Sequence, residues 1–303
     1  MRDPCGYPLG TLRVGLASGP AGRVSGTLRL TGRRQRVHPL AALKVHLIGI
    51  GGTGMGALAG LLKQAGHDVR GSDGPLYPPM STQLEQAGVA VMTGFRAENL
   101  DWGPDCVVVG NVCSRDHVEV QAAQARGLAL ESFPSLLEKL LLPGRRSLVV
   151  AGTHGKTTTS ALLTWLLVAA GQRPSALIGG VSQNLGRGAV YGAGEAIVLE
   201  GDEYDTAFFD KGSKFFHYAP FRAIVTSVEY DHADIFADLE AVKAAFVRFV
   251  GLIPAEGDLV VCADDAGAVE VADLRQRAAA AALEPAAGGR RGGEHLARID
   301  HRG

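Results

Sequence analysis

The sequence predicts an α/β protein with two doubly wound, mainly parallel-sheet domains, a Rossmann-like one followed by one built on a phosphate-binding loop. Three observations predict it. Short apolar runs alternate with helical segments from residue 44 onward, the pattern of parallel strands covered by helices. Pro143-Gly144 splits the alternation into two series. Each series opens on an apolar run that ends in a glycine-rich turn and then a helix. A length of 303 residues suits two domains, and 46% hydrophobic residues can bury a core in each. Lys and Arg number 30 against 31 Asp and Glu, so the charge pattern of a nucleic-acid binder is missing. No apolar run approaches the ~20 residues of a membrane span. Cys5, Cys106, Cys113 and Cys262 show no C-x-x-C spacing, which argues against a zinc site or a disulfide framework. The expectation is a cytoplasmic enzyme.

The elements follow in order. Residues 1–43 carry seven Gly and seven Arg against one acid, Asp3, and no sustained period, so an unstructured leader is expected. The domain over 44–144 begins with KVHLIGI (44–50) and a small-residue helix that Gly66 stops. DVRGSD (68–73) is strand two, and a helix from about Ser81 ends at Gly88. VAVMTG (89–94), DCVVVG (105–110) and LALES (128–132) read as strands, with helices near 117–126 and 133–142. The domain over 145–277 has SLVVAG (147–152), a helix over 156–170, AIVLE (196–200), RAIVTSV (222–228), a helix over 238–250 and DLVVC (258–262). The 156–170 helix is apolar nearly all round, which predicts burial. Residues 278–303 contain no aromatic, so an unstructured tail is expected, after a central domain that looks incomplete.

Four motifs carry chemistry. Gly49-Ile50-Gly51-Gly52-Thr53-Gly54 fits G-x-G-x-x-G between a strand and a helix, where backbone can approach a diphosphate at the helix N-terminus. Asp73, at the end of strand two, is placed to accept from a ribose hydroxyl. This turn alone fits NAD and a UDP-sugar equally. Gly152-Thr153-His154-Gly155-Lys156-Thr157-Thr158 is a short phosphate loop, with Val150 where the longer form has its first Gly. Its N–H groups can wrap a triphosphate, Lys156 can reach the β/γ oxygens, and Thr157 can ligate Mg²⁺. This favours ATP over NAD. The strand ending in Glu200, followed by Asp202, Glu203 and Asp205, offers carboxylates for that metal, with Glu200 the first candidate and Glu203 the next. The fourth, Glu229-Tyr-Asp231-His232-Ala-Asp234, puts a histidine at a strand end in an acidic setting suited to a second metal.

GIGGTGMG, AGTHGKTTT, E-x-D-E and E-x-D-H-x-D, in this order, resemble the Mur ligases, ATP-dependent amide-forming enzymes of bacterial cell-wall synthesis; the resemblance covers about residues 44–275. It implies a ligase using ATP and Mg²⁺ on small molecules, with no nucleic-acid partner. Residues 72–88 and 200–218 are most similar to members that join UDP-N-acetylmuramate to L-alanyl-γ-D-glutamyl-meso-diaminopimelate in peptidoglycan recycling. The alternative is a member that takes L-alanine. By the same resemblance Gly49, Gly51, Gly52, Thr53, Gly54, Met55, Ser72, Asp73 and Asn111 meet the UDP-muramate, with His154 and Asn184 toward the muramate. Gly152 to Thr158 hold ATP. Lys156, Glu200 and His232 are the catalytic set, and Thr157, Glu200, His232 and Glu203 are the metal candidates. The family's further, carboxyl-terminal domain is not seen in this sequence, which implies nucleotide binding without turnover by the chain as given. Two other classes stay in view. A nicotinamide dehydrogenase explains the first turn but not the second, and a regulatory P-loop module explains the second but not the first.

Overall fold

A computed structural model describes residues 41–180, 182–231, 235–282 and 296–299. The expectations for residues 1–40, for His232 and for most of 283–303 lie outside that set.

The first half contains β1 (Lys44–Ile48), α1 (Thr53–Gln64), β2 (Asp68–Asp73), α2 (Met80–Gln86), β3 (Ala90–Thr93), β4 (Cys106–Val109), α3 (Val118–Ala125), β5 (Ala129–Ser132) and α4 (Phe133–Leu141). Its five strands run in the order β3-β2-β1-β4-β5, all parallel. The chain winds outward from β1 in one direction and returns to wind in the other. The reversal between β1 and β4 opens a crevice at their carboxyl ends, the place where such sheets bind ligands. The glycine turn after β1 and Asn111 after β4 therefore flank one crevice. Val45, Leu47 and Ile48 of β1 are fully buried, as a central parallel strand covered on both faces requires.

The second half adds β6 (Arg146–Ala151), α5 (Lys156–Ala169), β7 (Ser175–Leu177), β8 (Ala189–Val190), β9 (Ala196–Gly201), β10 (Asp205–Ala207), β11 (Asp210–Ser213), β12 (Pro220–Val225), α6 (Leu239–Val250), β13 (Asp258–Cys262), α7 (Ala266–Ala282) and β14 (Leu296–Ile299). Seven of these strands form one sheet in the order β14-β13-β12-β6-β9-β7-β8, parallel except for β8. Here the reversal lies at β6, so the phosphate loop emerges between the ends of β9 and β12. β10 and β11 form a separate antiparallel hairpin. Among the described residues no helix is long and apolar enough to cross a membrane.

Two expectations are corrected. Helix α5 is not buried all round: its fully buried positions are Ser160 and Thr164, while Leu162 is 55% exposed and Leu166 39%. The small hydroxyl residues face the interior, and Thr164 Oγ1 donates to Ser160 O at 2.8 Å, so the hydroxyl does not forfeit a hydrogen bond on burial. Composition alone does not say which arc of such a helix meets the sheet. The 278–303 stretch is not wholly without structure either. α7 continues to Ala282, and β14 pairs in parallel with β13. Four residues, LARI, are too few to stand out among flanking Gly and Arg, but the open ladder of β13 gives them partners.

Candidate functional site

The first glycine turn is built by its neighbours. Ser72 O accepts from Gly49 N (2.9 Å) and Ile50 N (3.2 Å), and Gly49 has φ +79°, which a side chain would strain. Asp73 accepts from Gly51 N at 2.6 Å and Gly74 N at 2.7 Å. A Cβ at Gly51 would collide with Leu76 Cδ2 and Asp73 Oδ2, so a side chain here would have to displace both of these side-chain ends. Asp73 thus shapes the turn in addition to the ribose contact expected of it.

Ser72 requires a correction. Its hydroxyl does not face the crevice but is fully buried, donating a short hydrogen bond to Glu119 Oε2. The same carboxylate accepts from Asn99 Nδ2 (2.6 Å) and Arg96 N (3.2 Å) and lies 3.2 Å from His46 Nε2. Trp102 Nε1 donates to His46 Nδ1 at 3.4 Å, which leaves the ring proton on Nε2, facing Glu119. Burial pushes the Glu119 carboxyl up, but the hydrogen bonds from His46, Ser72 and Asn99 outweigh it and hold the group below its ordinary value.

The phosphate loop is strapped by the chain leaving β12. Thr153 N donates to Ser227 O (2.9 Å), His154 N to Ser227 Oγ (3.0 Å), Thr226 Oγ1 to His154 O (2.6 Å) and Glu229 N to Thr153 Oγ1 (2.9 Å). Gly152 (φ +139°) and Gly155 (φ +78°) sit where side chains are strained, and a Cβ on Gly152 would collide with Thr226 Oγ1. Lys156 Nζ donates to Gly152 O (2.6 Å) and lies 3.1 Å from Glu203 Oε2. Glu203, a further metal candidate in the sequence, pairs with Lys156 and is only 3% exposed. Thr157 Oγ1 donates to Glu200 Oε1 at 2.8 Å, while Glu200 Oε2 accepts from Gly179 N at 2.8 Å. A hydroxyl and a carboxylate in contact at the start of a phosphate-loop helix are hard oxygen donors, the set that suits Mg²⁺ shared with phosphates and water. Thr158 is exposed on the first turn of α5. The His154 side chain is 67% exposed, 3.7 Å from Glu229 Oε2.

The first glycine turn and Glu200, the partner of Thr157, border one cleft of about 270 Å³, while the phosphate loop itself is not among its lining residues. Gly52, Thr53, Gly54, Met55, Asn111 and Phe133 line it from the first half, and Gly179, Glu200, Asp202, Thr206, Lys214 and Tyr218 from the second. Asn184 is exposed on the loop between β7 and β8 and is not among the lining residues. Thr206, Lys214 and Tyr218 are among the lining residues outside the expected site set. They come from the segment 204–218, whose length and aromatic content are its signal in sequence. Phe215 is fully buried against Phe246 and Phe249, with ring centroids 5.5 and 4.6 Å away. Phe208 packs on the Val107–Val109 side of the first sheet. Asp210 accepts from Ser132 Oγ at 2.5 Å, and His217 Nδ1 lies 2.9 Å from Glu138 Oε2, so the segment joins the two halves.

Comparison with known proteins accounts for both halves. Residues 44–144 match the family described as "Mur ligase family, catalytic domain", and residues 150–287 match "Mur ligase middle domain". The chain is 44% identical over 218 residues to the UDP-N-acetylmuramate–L-alanyl-γ-D-glutamyl-meso-2,6-diaminoheptandioate ligase of Escherichia coli, covering 72% of this chain and 48% of that protein. It is 38% identical over 232 residues to the UDP-N-acetylmuramate–L-alanine ligase of Rubrobacter xylanophilus, covering 77% of this chain and 50% of that one. The solved UDP-N-acetylmuramate:L-alanyl-γ-D-glutamyl-meso-diaminopimelate ligase from Neisseria meningitides superposes with a TM-score of 0.72 at 45% identity, covering 77% of this chain and 75% of that one. The chain spans about half the length of the curated relatives it matches. With its two sheets answering to successive domains of one enzyme family, the chain belongs to the Mur ligases.

Proposed function

We propose that this protein is a cytoplasmic, ATP-dependent C–N ligase that joins UDP-N-acetylmuramate to L-alanyl-γ-D-glutamyl-meso-diaminopimelate, returning the tripeptide to peptidoglycan synthesis. The observation that carries the reading is the single cleft bordered by the diphosphate turn on one side and by Glu200, partner of the phosphate-loop Thr157, on the other. A sugar nucleotide held at Gly52–Gly54 points its far end toward the γ-phosphate of an ATP held at Gly152–Thr158.

A carboxylate is a poor acyl donor. The lactyl carboxylate of UDP-N-acetylmuramate attacks the γ-phosphate and ADP leaves, giving an acyl phosphate. The amino group of the tripeptide then attacks that carbonyl, loses a proton, and expels phosphate as the amide forms. Two anions must meet in the first step. Lys156 supplies one charge by exchanging Glu203 for phosphate oxygens, and the loop N–H groups orient the triphosphate. Thr157 and Glu200 would hold Mg²⁺, which neutralises charge on the phosphates. His232 is proposed for a second Mg²⁺ near the donor.

The tripeptide is favoured over L-alanine because identity to two tripeptide ligases is 44%, against 37–41% for six L-alanine ligases, and because segment 204–218 reaches the cleft. Calorimetry with UDP-N-acetylmuramate, Mg·ATP and NAD should show binding of the first two and none of NAD. Binding of NAD without Mg·ATP would move the protein to the dehydrogenases. In ligation assays the tripeptide should have the higher kcat/KM. A preference for L-alanine would change the acceptor and leave the ATP chemistry in place.

A further inference from the structure

We propose that Lys214 recognises the carboxylate of the acyl donor, so that the cleft distinguishes an acidic sugar nucleotide from a neutral one. The inference rests on the ligase reading above and adds the residue that reads the donor's acid.

Among the described residues that line the cleft, Lys214 is the only cation, beside two acids, Glu200 and Asp202. A sugar acid entering from the diphosphate turn toward Glu200 meets like charge unless a cation intervenes. Lys214 is also held in place. Its N–H donates to Tyr204 O at 3.1 Å, and it opens the 3-10 turn Lys214–His217. Phe215, the next residue, is fully buried between Phe246 and Phe249. The ammonium lies 2.8 Å from Asp202 Oδ2, with side-chain exposures of 17% and 33%, and 5.8 Å from the Tyr204 ring centroid. The pair is partly buried on a rigid base, so the ammonium needs a counter-charge but not this particular one. Asp202 can give up the ammonium to an incoming carboxylate at small cost, since one charge-assisted bond replaces another.

UDP-N-acetylmuramate and UDP-N-acetylglucosamine share nucleotide and amino sugar and differ by the lactyl carboxylate, so calorimetry with the two isolates the contact. The unaltered protein should bind the muramate more tightly. Lys214→Met should weaken UDP-N-acetylmuramate by about tenfold or more, the scale of a lost hydrogen bond to a charged group. It should leave UDP-N-acetylglucosamine and Mg·ATP nearly unchanged. Asp202→Asn separates recognition from packing: the cation remains, so muramate affinity should be kept or raised. Parallel loss of both sugar nucleotides in Lys214→Met, no loss of either, or an equal loss in Asp202→Asn would overturn the proposal. Failure of the unaltered, folded protein to bind UDP-N-acetylmuramate would instead overturn the ligase reading and this one with it.

Discussion

Lys156→Ala is expected to remove measurable Mg·ATP binding, a loss of at least ~10² in affinity, while affinity for UDP-N-acetylmuramate stays nearly unchanged. Two losses add up. The ammonium that would meet the β/γ oxygens is gone, and Glu203, 3% exposed, loses that cation and presents its negative charge where a triphosphate would dock. Breaking a buried pair by removing one partner costs about 3–5 kcal/mol. The UDP side is insulated because the glycine turn belongs to the other sheet and Lys156 is not among the lining residues of the cleft. Charge repair separates binding from folding. Lys156→Ala with Glu203→Gln removes the buried negative charge along with its cation, so it should recover thermal stability without recovering ATP binding. In turnover the single variant should lose at least ~10²–10³ in kcat, the scale for one preorganised donor. Equal loss of both nucleotides would point to unfolding and withdraw the support for this site.

The strands were legible because each central one is a compact apolar run closed by glycine or an acid. β2 and β13 fall on DVRGSD and DLVVC with the expected bounds. The two turns were legible for a related reason: left-handed backbone at Gly49, Gly152 and Gly155 leaves a mark that composition cannot hide. Side-chain direction was harder to read. Ser72 and Asp73 are adjacent on β2, and strand alternation sends one inward and the other to the turn. Glu200 and Glu203 were both read as oxygen donors for a metal. Their division of labour depends on which of them lies against Lys156, a contact across 47 positions of chain. Lys211 and Lys214 alternate with aromatics over 204–218, a pattern that lets the charges face the cleft while the rings pack; Lys214 lines the cleft, held by the burial of Phe215 beside it. His46 carries a plain signal, a polar residue inside the apolar run KVHLIGI. A fully buried histidine needs partners, and Glu119 was the one to seek.

Glu119→Ala should cause a large loss of stability in the first half, about 3–5 kcal/mol, because several buried donors lose their shared acceptor. Glu119 is fully buried on the first turn of α3, where the helix dipole favours its charge, and it accepts from Ser72, Asn99, the Arg96 N–H and His46. Truncation leaves these donors facing a cavity that water enters poorly, and each unsatisfied group costs about 1–3 kcal/mol. Set against the ~5–15 kcal/mol that a typical protein holds in total, this moves the transition visibly. Glu119→Gln keeps the shape but turns an amide N–H toward donors, so it should cost less than Ala while removing the titration. That titration has a defined sign. The folded carboxyl is held below its ordinary 4.5, so its contribution is fully present above that value and fades as pH falls through the lower folded one. Urea midpoints should therefore fall more steeply on acidification below about pH 4.5 in the unaltered protein than in Glu119→Gln. Of the two tryptophans, Trp102 touches His46 and reports the cluster, while Trp165 on α5 reports the other sheet. Adding Trp165→Phe isolates the first signal. Because Ser72 O also holds Gly49 N and Ile50 N, Glu119→Ala should weaken UDP-N-acetylmuramate binding before Mg·ATP binding is affected. A Glu119→Ala protein with an unshifted Trp102 midpoint would show that the donors find other partners, and that the glycine turn does not depend on this carboxylate.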